Sequence, residues 1–293
     1  MTSLPFGRII TAMVTPFAPD GSLNLDEARR LAAHLVDDQG NDALVINGTT
    51  GESPTTSDAE KLALLKAVVA EVGDRAQVIA GVGTFDTAHT IELANQAEQA
   101  GADGLLVVTP YYSRPPQDAV ADHFLTVAEA TGTPIIIYDI PHRTGIPVET
   151  PTLIQIAAHP RIVAVKDAKG NPVASSQVIA ATGLAYYAGD DAMTLPLLSV
   201  GGVGVVGTST HFTGRGTRAL VEAYLAGDVQ RALEVHQGLL PVYQGVFATQ
   251  GCLLVKAGLA ARGFVPGGVR KPLLPASREQ ADTFVAVLDA AGL

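Results

Sequence analysis

Two short apolar stretches, Pro134-Ile-Ile-Ile-Tyr138 and Ile162-Val-Ala-Val-Lys166, decide the predicted fold of this chain of 293 residues. Each is rich in β-branched residues and has the length of a buried strand. Thr150-Pro151 lies between them and reads as a cap residue followed by a proline at the first helical position. A strand, a helix and a second strand in this order predict a parallel sheet covered by helices.

The same alternation continues along the chain in both directions. Asn24 and Ser57, with Glu27 and Glu60 three residues later, read as capping boxes that begin helices. Eight strand–helix units favour a closed α/β barrel, the (β/α)8 TIM barrel, because closure leaves no edge strand. An open α/β sheet is the less favoured alternative. The predicted strands are Arg8–Thr15, Ala43–Thr49, Gln77–Thr84, Gly104–Thr109, Pro134–Tyr138, Ile162–Lys166, Leu184–Gly189 and Gly202–Thr208.

The chain continues beyond the eighth strand for longer than one closing helix requires. We predict a catalytic barrel over residues 1–226 and a C-terminal helical region over residues 227–293. Within that region we expect a helix over Asp228–Gln237, another through Lys256, and a proline-rich end around Lys271–Pro275.

Composition and charge narrow the class of protein. No run approaches the roughly 18 apolar residues of a membrane-spanning helix, and the start MTSLPFGRII lacks the pattern of a secretory signal. The net charge of −10 argues against nucleic acid and anionic membranes as partners. The single cysteine, Cys252, excludes an intrachain disulfide and is expected to be a buried structural thiol. We therefore expect a cytoplasmic protein with small-molecule partners.

Lys166 is the strongest catalytic candidate, because barrel enzymes place their chemistry where strands end. Alternation puts Lys166 on one face with Ile162 and Ala164. If that face points into the barrel, desolvation lowers the lysine pKa and yields the neutral amine that imine formation needs. The alternative is an ordinary strand-end lysine that reaches solvent or pairs with Asp167.

Other reactive groups end neighbouring strands. Tyr138 could shuttle protons, or simply cap the core with its hydroxyl in water. The turn Gly48-Thr-Thr-Gly51 offers hydroxyls and amides for a carboxylate, or is an ordinary turn. Arg143 could bind a second substrate carboxylate through paired hydrogen bonds, or lie on the surface.

A glycine pattern in the eighth predicted strand imitates a nucleotide-binding motif. Gly202-Val-Gly-Val-Val-Gly207 fits G-x-G-x-x-G, and Glu222 follows about twenty residues later. The glycines lie within the apolar run, and Glu222 falls in helical Arg218–Leu225, so a dinucleotide site is not expected. Close approach of the backbone to a small ligand explains the glycines better. The histidines lack zinc spacing, and no metal is expected.

Taken together, these motifs resemble the pyruvate-dependent class I aldolase family, also known as the N-acetylneuraminate lyase family. The resemblance spans the whole barrel in the right order and is weaker in the C-terminal helices. Its motifs are Thr11-Ala-Met-Val-Thr-Pro16, Gly48-Thr-Thr-Gly-Glu-Ser53, Val108-Thr-Pro-Tyr-Tyr112, Tyr138-Asp-Ile-Pro with Arg143-Thr-Gly145, Val165-Lys166 and Gly189-Asp-Asp191.

The resemblance implies a role for each matching residue. Lys166 would form an imine with pyruvate, and Tyr138 would donate and accept protons. Thr49 and Tyr112 would complete a proton relay, with Tyr112 entering from a neighbouring subunit. The implied substrate-binding residues are Thr50 and the backbone of Val206 for the pyruvate carboxylate, Gly189 beside them, and Arg143 for the carboxylate of the second substrate.

The resemblance also implies a reaction. Its Pro-Tyr-Tyr and Tyr-x-x-Pro-x-Arg-Thr signatures favour a lyase that condenses pyruvate with L-aspartate 4-semialdehyde to 4-hydroxy-tetrahydrodipicolinate, in diaminopimelate and lysine biosynthesis. No cofactor is expected, and the expected assembly is a homotetramer, a dimer of dimers. The alternatives are N-acetylneuraminate lyase, a 2-keto-3-deoxy sugar-acid aldolase or dehydratase, and a non-catalytic barrel that binds a 2-oxo acid. Arg143 favours an acidic acceptor over a polyhydroxylated one.

The chain departs from the family pattern at a few positions. Asp139 stands where many members have Asn, next to Tyr138. By resemblance, Phe85 and His89 occupy the positions of the Asn and Glu that bind lysine in feedback-inhibited members, although Tyr111 is retained. We therefore expect lysine to inhibit weakly or not at all.

Overall fold

The computed structural model describes residues 4–293, and within them eight parallel strands close into a barrel in chain order. The prediction of a TIM barrel is confirmed. Each strand pairs with the next, and the first pairs with the last, so no edge is left open. The strands are β1 (Ile9–Ala12), β2 (Ala43–Ile46), β3 (Gln77–Gly81), β4 (Gly104–Val108), β5 (Ile135–Asp139), β6 (Ile162–Asp167), β7 (Ala185–Ala188) and β8 (Gly204–Gly207).

Helices cover the outside of the barrel and extend past its last strand. The last three helices share one apolar core with the barrel through Val242, Leu254 and Leu288. The helices are α1 (Leu25–Ala33), α2 (Asp58–Val72), α3 (Thr87–Gln99), α4 (Gln117–Glu129), α5 (Pro141–Thr144), α6 (Thr150–Ile156), α7 (Pro172–Thr182), α8 (Thr194–Leu198), α9 (Thr210–Leu225), α10 (Val229–Gly245), α11 (Gly251–Ala261) and α12 (Arg278–Ala290).

Several local predictions can be compared with these helices. The capping box at Ser57 is confirmed. At α1, Asn24 accepts from the Glu27 amide, but the Glu27 carboxylate accepts from Val265 and Arg30 instead of closing a box. The cap of α6 is the preceding glutamate, so the predicted cap at Thr150 is wrong by one residue.

The end of α10 also differs from its prediction. The expected helix stopped at Gln237, whereas α10 continues through Pro241 to Gly245. Two residues on this extra stretch, Val242 and Tyr243, are almost fully buried in the core. Packing therefore outweighs the cost of a proline inside the helix.

The barrel encloses an inner core layer, distinct from the outer layer between strands and helices. Ala164 and Tyr138 belong to the inner layer, and Lys166 shares their side of the sheet by alternation. Ile162, predicted to share that face, packs in the outer layer instead. The register shifts between β5 and β6 at this point, where Ile135 pairs with Ile162 and the next residue of β5 pairs with Ala164. This irregularity interrupts the alternation at the start of β6 but leaves Lys166 facing inward.

The glycines of β8 serve the protein's own packing. A β-carbon at Gly204 would lie 2.0 Å from the Arg8 carbonyl oxygen, and one at Gly207 would lie 2.5 Å from an Asp191 carboxylate oxygen. Close approach to β1 and to a buried carboxylate is thus sufficient to require these two glycines, and the expected approach of a ligand stays a prediction. Cys252 is buried, as predicted. Within residues 4–293, no helix is both long and apolar enough to cross a membrane.

Candidate active site

Lys166 lies at the carboxyl end of β6, directly across the strand pair from Tyr138. Its side chain is buried, and its Nζ lies 4.2 Å from the centroid of the Tyr138 ring. Burial lowers the pKa of Lys166 to about 8; the Asp191 charge opposes this shift and the Arg143 charge adds to it. At pH 7 most of the amine is still protonated, but roughly a tenth is neutral and nucleophilic, far more than for an exposed lysine.

Tyr138 is buried at the end of β5. Burial raises the pKa of its phenol to about 12, while Arg143 and an interaction with the Thr49 hydroxyl act in the opposite direction. The phenol consequently holds its proton at neutral pH and can donate it to a group beside Lys166.

Thr49 and Thr50 lie in the turn that follows β2, and both are half-buried. The Thr50 and Thr208 hydroxyl oxygens are 3.3 Å apart, within hydrogen-bonding distance. The turn is held from beneath, because the Thr15 hydroxyl donates to the Gly51 carbonyl at 2.6 Å. The two threonines thus lie at the barrel mouth, where both line an open cavity.

Arg143 belongs to the short helix α5, which ends at Gly145 in the left-handed region with φ of 84°. Its guanidinium donates to the Gln250 side chain at 2.9 Å. The residue is exposed at the rim, so its remaining donors can reach a ligand carboxylate.

These groups surround an open cavity of about 650 Å³ at the carboxyl ends of the strands. It is the right size for small-molecule substrates. Of the predicted site residues, those that line it are Lys166, Tyr138, Thr49, Thr50, Arg143 and Gly189.

Two predicted site residues lie elsewhere in the described chain. Tyr112 is 92% exposed, away from the cavity, and has a φ of 72°, which is unusual for a residue other than glycine. Val206 is fully buried in the inner core layer rather than on the cavity wall. Within a single chain, therefore, Tyr112 does not reach Lys166.

The cavity also includes residues that the sequence analysis did not single out. Thr208 ends the eighth predicted strand, so its position was a usable signal. Tyr243 and Phe247 come from the end of α10 and the turn after it, and no motif marks them.

Two buried carboxylates support the walls. Asp139 forms an ion pair with Lys169, a cavity residue, at 3.0 Å, and accepts from the Val148 amide. Asp191 accepts from the Thr208 and Ser209 amides at 3.0 Å. Burial raises the pKa of both Asp139 and Asp191.

The arrangement supports amine chemistry on an anionic carbonyl compound. In such chemistry Lys166 could act as the nucleophile and Tyr138 as a proton donor, while the threonine turn and Arg143 could each bind a carboxylate. Within residues 4–293, no cluster of three histidine, cysteine, aspartate or glutamate side chains is arranged to bind a metal.

Comparisons with known proteins agree with this geometry. The profile of the Dihydrodipicolinate synthetase family matches residues 5–291. The chain is 60% identical to a 4-hydroxy-tetrahydrodipicolinate synthase of Cutibacterium acnes over 99% of both chains. It is 56% identical to 4-hydroxy-tetrahydrodipicolinate synthase 2 of Streptomyces coelicolor, over 99% of this chain and 96% of that one.

Solved structures show the same likeness. The crystal structure of DHDPS from Cyanidioschyzon merolae with lysine bound superposes with a TM-score of 0.97 at 38% identity, covering 99% of this chain and 100% of the other. A dihydrodipicolinate synthase from Bacillus anthracis gives 0.94 at 37% identity, with 99% of each chain covered. The family resemblance predicted from the strand-end motifs is therefore confirmed, and the chain belongs to the dihydrodipicolinate synthetase family.

Proposed function

We propose that this protein is a cytoplasmic lyase that condenses pyruvate with L-aspartate 4-semialdehyde to 4-hydroxy-tetrahydrodipicolinate, in diaminopimelate and lysine biosynthesis. The observation that carries the proposal is the buried Lys166 amine, 4.2 Å from the ring of Tyr138. The relatives are named as synthases of this reaction, and these names give no support to the sugar-acid alternatives.

The first half of the reaction uses Lys166 and Tyr138. The neutral amine attacks C2 of pyruvate, and the carbinolamine loses water to give a protonated imine. Tyr138 supplies the proton that the departing hydroxyl needs and, once deprotonated, accepts one from the pyruvate methyl group to form the enamine. The protonated imine is the electron sink, so these steps require no cofactor.

The second half forms the new carbon–carbon bond. The enamine carbon attacks the aldehyde carbon of the semialdehyde, and the resulting oxyanion takes a proton. The amine of the bound semialdehyde then attacks C2, closes the ring and expels the Lys166 amine. Arg143 would hold the semialdehyde carboxylate, while the Thr50 turn holds that of pyruvate.

A direct assay distinguishes this reaction from the alternatives. Purified protein is given pyruvate with aspartate 4-semialdehyde and, separately, pyruvate with N-acetylmannosamine, and product formation is followed in each. We expect turnover with the semialdehyde only. Turnover with N-acetylmannosamine alone would assign the site to a sugar-acid aldolase.

We also propose that the active unit is a homo-oligomer, a dimer of dimers, in which Tyr112 enters the neighbouring site. Two features of Tyr112 support this: its side chain is 92% exposed and so available to a partner, and its backbone has an unfavourable positive φ. Such a conformation persists where surrounding contacts, here those of a partner subunit, hold it. Mixing Tyr112→Phe with Lys166→Met protein under conditions of subunit exchange is expected to restore part of the activity. No gain after verified exchange would count against a role across the interface.

A further inference from the structure

Glu52 stands in the left-handed region, with φ of 57° and ψ of 36°, two residues after Thr50. This backbone conformation is unfavourable for a residue other than glycine, so it persists only where other contacts hold it. Glu52 is 3% exposed and lies outside the substrate cavity. Its buried carboxylate therefore requires a partner within the protein.

That partner is Lys256 on α11, 204 residues further along the chain. Its Nζ donates to Glu52 Oε1 at 2.7 Å and to the Gly268 carbonyl at 2.6 Å. The second carboxylate oxygen accepts from the Arg270 amide at 2.9 Å. Both oxygens of Glu52 are thus held, and the side chain has little freedom to move.

An aromatic ring completes the surroundings of this pair. Lys256 Nζ lies 4.4 Å from the centroid of the Phe17 ring, and the Arg270 guanidinium lies 4.3 Å from it. Phe17 lies in the loop after β1, so the cluster joins that loop, the turn after β2 and the C-terminal region. The Lys256 side chain is only 5% exposed.

The Glu52 backbone transmits this restraint to the threonines. The Glu52 amide donates to the Thr49 carbonyl at 3.1 Å, and the Gly51 amide donates to the Gly48 carbonyl at 3.0 Å. Any rotation of Glu52 towards a relaxed conformation would change the path of the turn. The Thr49 contact with Tyr138 and the Thr50 contact with Thr208 both depend on that path.

We propose that Lys256 is a positioning residue, which acts through Glu52 to hold Thr49 and Thr50 for pyruvate. The inference rests on the proposed function, because it gives the threonine turn a role in binding that substrate. It predicts a defect mainly in the pyruvate half-reaction, since Arg143, which would hold the semialdehyde, belongs to the separate helix α5.

The test compares Glu52→Gln, Lys256→Met and the double variant with the wild-type enzyme. Unfolding temperature, kcat/KM for pyruvate and kcat/KM for the semialdehyde are measured for each. Both single variants are expected to lose roughly 10- to 100-fold in kcat/KM for pyruvate, the scale of a small misplacement of binding groups. The value for the semialdehyde should stay near that of the wild type.

The double variant separates positioning from stability alone. Lys256→Met leaves the buried Glu52 carboxylate without its cation, whereas the double variant has no buried charge at either position. The unfolding temperature of the double variant should therefore be higher than that of Lys256→Met. If the pair positions the turn, the pyruvate defect remains; if kcat/KM for pyruvate recovers together with stability, the proposal is wrong. Lys256→Arg, which keeps the charge, provides a folded comparison if Lys256→Met does not fold, and should retain more pyruvate activity than the double variant.

A matched control removes another ion pair of the C-terminal region. Arg262 donates to Asp289 at 2.7 Å, away from the threonine turn, so Arg262→Met should leave both kinetic constants unchanged. An equal pyruvate defect in this control would overturn the proposal. Borohydride trapping of pyruvate on wild-type Lys166 is run in parallel; its failure would contradict the proposed function itself, independently of the variants.

Discussion

Replacing Lys166 with methionine is expected to stabilise the protein while it abolishes activity. The pKa of Lys166 is lowered by burial from 10.5 to about 8. At about 1.36 kcal/mol per pKa unit, burial of the charged lysine lowers the free energy of unfolding by roughly 3 kcal/mol. Methionine has a similar length and carries no charge, so Lys166→Met should recover much of that amount.

The gain should depend on pH in a defined direction. Below pH 8, Lys166 is protonated in both the folded and the unfolded chain, so the full cost of burying an ammonium is present. Between pH 8 and 10.5 the unfolded chain binds more protons at this site, and the cost declines as pH rises. Above pH 10.5 the amine is neutral in both states, and the stabilisation by methionine should disappear.

Urea unfolding of both proteins, followed by circular dichroism at pH 7 and pH 10 and at one protein concentration, measures this difference. Lys66→Met, a change at an exposed lysine on α2, is the control and should show no comparable gain. A Lys166→Met effect that is destabilising at pH 7, or equal at the two pH values, would refute the reasoning about burial.

Three further predictions concern the reaction. Tyr138→Phe should lower kcat roughly 100-fold or more while the KM for pyruvate changes little, because the proposed role of the phenol is to transfer protons and not to bind pyruvate. Steady-state kinetics measures both constants, and a comparable change in KM would contradict this role. Arg143→Met should raise the KM for the semialdehyde about 10- to 100-fold, which is the effect of losing one hydrogen bond to a charged group. Above pH 8, where most of the Lys166 amine is neutral, the same variant should trap pyruvate with borohydride at the wild-type rate. Millimolar lysine should lower the initial rate only slightly or not at all, because Phe85 packs edge-on against Tyr111 and His89 pairs with Asp58. Strong inhibition would contradict this.

Much of the site could be predicted from strand ends alone. In a parallel barrel every strand ends at the same rim, so Tyr138, Lys166 and the Gly48–Gly51 turn must lie close together once the strands are recognised. The inward direction of Lys166 followed from its spacing to Ala164. The same reasoning failed at Ile162, because an irregular register between β5 and β6 cannot be read from an apolar sequence.

Contacts between distant parts of the chain were beyond such reasoning. Glu52 and Lys256 are 204 residues apart, and neither stands in a pattern that names the other. Tyr243 and Phe247 enter the cavity only because α10 continues past its proline. Tyr112 illustrates a different limit. Its proposed role depends on a neighbouring subunit, and a single chain contains only one side of an interface between subunits.

The most direct test of the account is to treat the protein with pyruvate and borohydride and map the modified peptide by mass spectrometry. We predict one reduced pyruvate adduct per chain, located on Lys166, that forms faster as the pH rises through about 8, where the amine loses its proton. No adduct, or an adduct on another lysine such as Lys169, would contradict the central claim that the buried Lys166 amine is the nucleophile.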